Sequence, residues 1–361
     1  MTLTALTAPT PLVGIAQGLA AVEARLDRFF EEQVARARTH GDAYRRLWSA
    51  AHDAARGGKL VRPRLVLAAH DAHVGESGRA APAAVDLAAA FELLHAAFLM
   101  HDDVIDHDLV RRGRPNVAGS FAAEASAAGD RRAREYGEAS AILAGDLLIS
   151  AAHRLVAGLD APTATRRALL ELVDECVFLA AAGEHADVRF ALGTAPEPGE
   201  ILAMIEEKTA SYSFSAPLQA GALLGGADAR TVGRLGDLGR DLGVAFQLRD
   251  DVLGVFGEEA VTGKSATGDL REGKQTLLIA FARADAAWPD VADRFGRPDL
   301  GTEDAAAIRR VIVEAGALDR VEALIADRCR SAVALAGSSG LPTALAAELA
   351  WIARGCAERD R

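Results

Sequence analysis

The sequence predicts an all-α fold. Half of the 361 residues are of the hydrophobic class while only 5% are aromatic. Alanine is abundant, and that combination favours helices packed closely through small side chains over sheets. Apolar residues recur at helical spacing along most of the chain. There is no strand-like alternation, no GxGxxG strand-to-helix turn and no internal repeat of roughly 20 to 50 residues. The chain is long enough for a large core, as one big domain or two smaller ones, behind a flexible N-terminal tail, residues 1–14.

The helical pattern starts at Ile15 and runs to about Ala55, where Gly57-Gly58 breaks it. Lys59 and Arg62 follow, two cations three apart on one face just after a flexible turn. They are a plausible anion grip, although surface pairs of this kind are common. Residues 64–74 and 83–106 read as two further helices around GESGRAAP, and the second is apolar nearly all round, hence central. His95, on that helix, reads by itself as a satisfied core histidine. Residues 118–136, rich in Ala, Gly and charge, read as a mobile loop or short surface helix, and the helical pattern resumes at Ala139. Residues 163–192 hold Gly183-Glu184-His185-Ala186-Asp187 within an otherwise apolar helix. After the TAPEPGE turn, residues 201–224 carry Lys208-Thr209, Tyr212 and Pro217, and a proline inside a helical pattern implies a kink. Residues 258–275 are polar and Gly-punctuated, with Lys264, Asp269, Arg271 and Lys274, as a phosphate-covering loop would be. Residues 277–333 and 342–354 return to helix.

The chemistry concentrates in Phe98 to Pro115, FLMHDDVIDHDLVRRGRP. Asp102 and Asp106 are four apart, so on a helix both carboxylates leave one face a turn from each other, with Asp103 beside them. Like charges that close repel unless a cation sits among them, and all-oxygen ligands suit Mg²⁺. Arg111 and Arg112 follow at once, and the chain is expected to turn at Arg114-Pro115. Metal ligands followed by an arginine pair are what a diphosphate needs, because guanidinium forks bind the oxygens the metal leaves free. A solvated helix cap is the competing reading, and a second acid cluster decides against it: Phe246-Gln247-Leu248-Arg249-Asp250-Asp251-Val252-Leu253-Gly254 again ends an apolar helical run in adjacent aspartates.

Composition narrows the setting. A net charge of −11 and an isoelectric point near 5.4 argue against a nucleic-acid surface and fit a cytoplasmic protein whose substrates find local basic patches. Cys176, Cys329 and Cys356 are an odd number at no metal-ligand spacing, so they read as core residues in a reducing compartment. No uninterrupted apolar run reaches the length of a membrane span, and TLTALTAPTPLVG lacks the basic region of a signal peptide.

From about Gly57 to Thr276 the chain resembles the trans-isoprenyl diphosphate synthases, the polyprenyl synthetase family, and among them the geranylgeranyl diphosphate synthases. The first aspartate-rich motif stands as Asp102-Asp103-Val104-Ile105-Asp106 with the tail Arg111-Arg112-Gly113-Arg114-Pro115. A GKxxRP motif stands at Gly58 to Pro63, a KT pair at Lys208-Thr209 and an FQxxDD motif at Phe246 to Asp251. The resemblance implies the isoprenoid synthase type I fold, a large single-domain helical bundle with a central cavity over residues 15–361, a homodimer and condensation of isopentenyl diphosphate with an allylic diphosphate. It implies Mg²⁺ on Asp102, Asp106 and Asp250, three ions when substrate is bound, and a catalytic set of these three with Asp103, Arg111, Lys208 and Lys264. The allylic diphosphate would lie among Arg111, Lys208, Thr209, Gln247, Lys264 and Lys274, and isopentenyl diphosphate among Lys59, Arg62, His95 and Arg112. Leu94, Ala97 and Phe98 would floor the cavity and set the product length, with one large and one small residue nearest the acids pointing to C20.

Two positions depart from the family pattern. Gly254 stands where many relatives have a third aspartate, and Glu184 replaces the usual glutamine after Gly183. A class I terpene cyclase is the nearest alternative, with Asp250, Gly254 and Glu258 giving two of the three residues of its second metal motif. It binds one diphosphate, however, and has no use for Lys59, Arg62 and Arg112. A metal phosphohydrolase built on His-Asp pairs fails because those pairs lie on unrelated helix faces, and a non-catalytic subunit has no need of two acid clusters.

Overall fold

A computed structural model describes residues 15–74, 81–193, 195–257, 267–338 and 340–358. The tail expected over residues 1–14 lies outside them. The all-α expectation holds, since apart from one two-stranded hairpin the elements among the described residues are helical. The chain forms two compact units, one from the described residues up to Val173 together with Pro217–Asp228, the other from Asp174–Ala216 and the described residues from Ala229 onward.

In the first unit the helical pattern expected to run unbroken to Ala55 divides into α1 (Ile15–Ala37) and α2 (Asp42–Ala55). The break is a short 3₁₀ turn closed by Gly41 at φ +97°, a conformation open to glycine and costly for other residues. α1 buries Val22, Leu26, Phe29 and Phe30, the four- and three-residue spacing of one helix face. α3 (Val61–Val74) and α4 (Pro82–Ile105) follow, and Pro82 opens α4, where its missing N–H costs nothing. α4 is buried almost all round and packs on α6 (Ala133–Ala157), α3 and α1, as its apolar sequence requires.

Between α4 and α6 lies α5 (Val117–Ala127), capped by the Asn116 side chain, which accepts from the Gly119 N–H at 2.8 Å. Of the two readings open here, a mobile loop or a short surface helix, the helix is the one formed, and it is half-buried, with Val117, Ala118 and Phe121 in the core. Its small residues serve close packing on α6, where any side chain at Gly137 would overlap the Ala118 carbonyl. By length and composition α4 and α6 could each cross a membrane, contrary to the sequence reading, but 72% and 50% of their most apolar windows are buried, and a core helix passes the same test.

α7 (Thr163–Ala191) passes from the first unit into the second, where α8 (Pro198–Ile205) runs straight into a π-helical segment, Glu206–Ser215. α9 (Ala216–Leu224) follows, so the kink expected at Pro217 takes the form of widened turns just before a residue that cannot continue the regular bonding. α10 (Ala229–Phe256) lies against the π segment through Gly239 and Gly243, four apart; a Cβ at Gly239 would stand 2.6 Å from Ser215 Cα and one at Gly243 2.5 Å from Ala210 Cα. The remainder divides at turns and at Pro289 into α11 (Gly268–Glu272), α12 (Leu277–Ala282), α13 (Pro289–Ala292), α14 (Thr302–Glu314), α15 (Ala317–Ser338) and α16 (Thr343–Glu358). Cys176, Cys329 and Cys356 are buried core residues outside any disulfide, and burial pushes the Cys176 thiol up to about 12.

Arg249 ties α10 to α15 and α16. It is 3% exposed, forks onto Glu322 at 2.8 and 2.6 Å, and donates to the carbonyls of Cys356 at 2.9 Å and Ala357 at 3.2 Å. Removing one partner of a buried pair strands the other charge, so Glu322→Ala should lower stability by about 3 kcal/mol. Urea unfolding of the two proteins measures this, and an unchanged midpoint would contradict it.

Candidate active site

α4 ends in Asp102, Asp103 and Asp106, and its last turn holds no basic residue. Carboxylates at the negative end of a helix are unfavourable on their own. Arg111 compensates: its Nε donates to Asp103 at 2.7 Å and its Nη2 to Asp102 at 3.2 Å. Asp103 is buried and its pKa is pushed up to about 6 by that burial, against the pull of Arg111. Asp102 is half-buried and Asp106 is exposed.

Arg111 reaches back because the chain reverses immediately after it. Val110–Arg111 pairs antiparallel with Arg114–Pro115, leaving Arg112-Gly113 as a two-residue loop with φ +54° and +72°. Two positive φ values mark a type I′ hairpin turn. The turn thus falls at Arg112-Gly113 and not at Arg114-Pro115, because glycine accepts the left-handed conformation and Pro115 is tolerated at a free strand edge. The two arginines consequently part company. Arg111 serves the acids, while Arg112 Nη1 donates to the Arg56 carbonyl at 3.1 Å, beside the Gly57-Gly58 turn.

Around that turn gathers a second, cationic group. Arg62 and Arg112 both act on His95, whose pKa is held well below the ordinary histidine value by burial first and then by Arg62, Arg112 and Arg111. At neutral pH His95 is uncharged, a hydrogen-bonding group and not a third cation. Lys59 precedes Leu60, which has φ +50°. With Arg112, that puts two of the three positive-φ non-glycine residues among those described next to this group, and strained backbone of this kind clusters at functional sites.

The second acid cluster, on α10, is braced differently. Thr209 Oγ1 donates to Gln247 Oε1 at 3.0 Å, and Gln247 Nε2 donates to Asp251 Oδ1 at 2.9 Å, so the amide fixes the orientation of the buried carboxylate. Burial pushes Asp251 up to about 7, opposed by Lys274 and by the Gln247 hydrogen bond. Burial likewise disfavours the charge on Lys274, yet Asp269, Asp251 and Asp187 together raise its pKa above the lysine value. Lys208, on the π segment, pairs with Glu184 at 2.8 Å and Asp187 at 2.6 Å. The unusual Glu184 therefore has a partner, and Gly183 beside it leaves the room the Lys208 backbone occupies.

Gly254 also finds its reason. Any side chain there would overlap the Asp269 carboxylate, which comes from α11 into the space a third aspartate would enter. Lys264 and Glu258 lie outside the described residues. Of the three floor positions, Phe98 is half-buried, whereas Leu94 at 1% and Ala97 at 0% exposure are fully enclosed.

The donors in both clusters are hard carboxylate oxygens, and among the described residues no three metal-ligating side chains converge closely enough to hold an ion alone. Hard oxygen donors suit Mg²⁺, which binds through one or two carboxylates and takes its remaining ligands from water and substrate phosphates. The sequence reading missed Glu92 and the place of Asp269. The signal for the former was a single carboxylate within a helix apolar all round.

The polyprenyl synthetase family model matches residues 45–299. The chain is 34% identical to geranylfarnesyl diphosphate synthase of Aeropyrum pernix, over 74% of this chain and 79% of that one. It is 33% identical to (2E,6E)-farnesyl diphosphate synthase of Mycobacterium bovis, over 84% and 80%. A geranylgeranyl pyrophosphate synthase from Corynebacterium glutamicum, solved in complex with isoprenyl diphosphate and magnesium, matches with a TM-score of 0.87 at 30% identity and covers 95% of this chain and 99% of that one. With motifs, helical fold and relatives in agreement, the chain belongs to the polyprenyl synthetase family and is a prenyl-transferring enzyme.

Proposed function

We propose that the enzyme elongates prenyl chains with Mg²⁺, joining isopentenyl diphosphate head-to-tail to an allylic diphosphate of C5 to C15 and releasing diphosphate, with C20 geranylgeranyl diphosphate as its main product. The observation that carries this reading is the divergence of Arg111 and Arg112. One arginine is committed to an acid cluster and its neighbour to a separate cationic group, which supports a reading with two diphosphate grips over one. A terpene cyclase takes one and would leave Lys59, Arg62 and Arg112 without a task.

Asp102, Asp106 and Asp250 would hold the ions, three with substrate bound, and Mg²⁺ would stabilise the charge that develops on the departing diphosphate. Arg111 and Lys208 rest on carboxylates and would turn their donors to phosphate oxygens; Thr209, Gln247, Lys264 and Lys274 complete that set. The allylic C–O bond breaks, the double bond of isopentenyl diphosphate attacks the resulting cation, and a proton is lost to the released diphosphate. Lys59, Arg62 and Arg112 hold the second diphosphate, with neutral His95 as a hydrogen-bond donor. Apolar walls keep water from the cation.

Asp102→Ala or Asp106→Ala should cut condensation at least ~10²-fold, the scale of losing one electrostatic stabiliser. Purified protein assayed with Mg²⁺, isopentenyl diphosphate and C5, C10 or C15 allylic diphosphates tests both function and variants. Turnover at the wild-type level with unchanged Mg²⁺ dependence would refute the metal assignment.

Product length is proposed from the floor. Phe98 lies one turn before Asp102, and each isoprene unit extends the tail by about one helical turn. Phe98→Ala should lengthen the main product by about one unit, read by sizing the products, and an unchanged distribution would move the floor elsewhere. Ala97→Phe is expected to shorten the product, but Ala97 is fully enclosed, so this variant should also lose ~1–3 kcal/mol to overpacking.

A homodimer is proposed from α6, which is apolar, only half-buried in its most apolar window, and exposes Ile142 at 43% and Leu143 at 56%. Light scattering at micromolar concentration should give twice the chain mass of 37.7 kDa, and a monomer mass would refute it. A cytoplasmic setting is part of the same proposal, supported by cysteines outside any disulfide and by the acidic net charge.

A further inference from the structure

Glu92 is the one acidic residue buried within the apolar length of α4, at 4% exposure, and its Oε2 makes no hydrogen bond in the protein. A carboxylate so placed is costly unless it has a task. Its surroundings name one. Arg62 from α3 and Arg112 from the hairpin both act on it, lowering a pKa that burial raises. His95 lies one turn further along α4 and feels the same two guanidiniums. A Cβ built on Gly58 would stand 2.9 Å from Glu92 Oε1 and 4.0 Å from Arg112 Nη2, so carboxylate, guanidinium and glycine backbone meet at one point. The Gly57 position is likewise 3.9 Å from Arg112 Nη1. Lys59 follows this turn directly.

We propose that Glu92 is a positioning residue of the second diphosphate site: its carboxylate holds the Arg62 and Arg112 guanidiniums in register and seats the Gly58 turn that delivers Lys59, without touching substrate. The idea rests on the two-diphosphate reading above. Two guanidiniums left to themselves repel and adopt many rotamers, whereas a carboxylate buried beside them selects one arrangement in advance, and such preorganisation strengthens binding. Gly58 is required because a methyl group there would push the carboxylate away.

The test measures isopentenyl diphosphate binding calorimetrically in EDTA, so that no metal is involved, and steady-state KM for both substrates in Mg²⁺. Glu92→Gln keeps the shape and removes the charge. It should weaken isopentenyl diphosphate binding about tenfold, the scale of a lost charge-assisted interaction, while the KM of the allylic substrate stays the same. Gly58→Ala should do likewise in the native background and add little to Glu92→Ala, where the methyl has room. Binding that is unchanged in Glu92→Gln, or tighter as simple removal of a negative charge near an anion would make it, overturns the proposal. So does a lowered Tm with both KM values intact, which would mark Glu92 as structural only. Absence of isopentenyl diphosphate binding by the wild-type protein would instead overturn the two-diphosphate reading, and this proposal with it.

Discussion

Crowding carboxylates at the negative end of a buried helix is the constraint that the rest of this structure serves. α4 has no basic residue in the last turn that carries Asp102 and Asp103, so its macrodipole runs into like charge, while α10 sets Asp250 and Asp251 side by side a turn and a half before its end. Each is compensated from outside its own helix, by Arg111 for the first acids and Lys274 for the second. Burial raises the pKa values of Asp103 and Asp251, and Arg111 and Lys274 pull them back only in part. A protein selected for stability alone would not build two such ends. One that must recruit divalent cations together with a polyanionic substrate has reason to, because the same unbalanced charge that costs stability supplies binding energy when the ions arrive.

Much of the surrounding architecture delivers the compensating groups at the correct place. The tight hairpin at Arg112-Gly113 turns two consecutive arginines to different tasks, which a helix or an open loop would not do reproducibly. The π-helical segment places Lys208 and Thr209 against α7 and α10, and Gly183, Gly239 and Gly243 are the points where backbone comes too close for any side chain. Arg249 then anchors the acid-bearing end of α10 to α15 and the end of α16 through a buried fork and two helix-terminal carbonyls. Rigid support of this kind keeps acidic ligands from swinging apart under their own repulsion.

The two departures from the family pattern show how such a site tolerates change. Gly254 lacks a carboxylate, yet Asp269 occupies the space in front of it, so the acidic character of that wall is retained from another segment. Glu184 adds a charge where an amide is usual, and Lys208 absorbs it with Asp187. In both cases a substitution that looks like a loss in one dimension is balanced by a neighbour distant in sequence.

The sequence by itself determined the helical fold, the two acid clusters and the identities of the cations around them. These follow from local rules: apolar spacing, alanine content, and like charges four apart on one face. It misplaced the turn after Arg111, because the choice between Arg112-Gly113 and Arg114-Pro115 depends on strand pairing. It left residues 118–136 open between a mobile loop and a short surface helix, because the small residues of α5 signal close approach only once α6 is there to approach. Only tertiary structure decided that Arg111 and Arg112 act apart, that His95 is neutral, that Asp269 stands in front of Gly254, and that the solitary Glu92 faces two guanidiniums. Each of these depends on distances between residues far apart in the chain, and such distances are set by packing, on which the order of residues along one helix is silent.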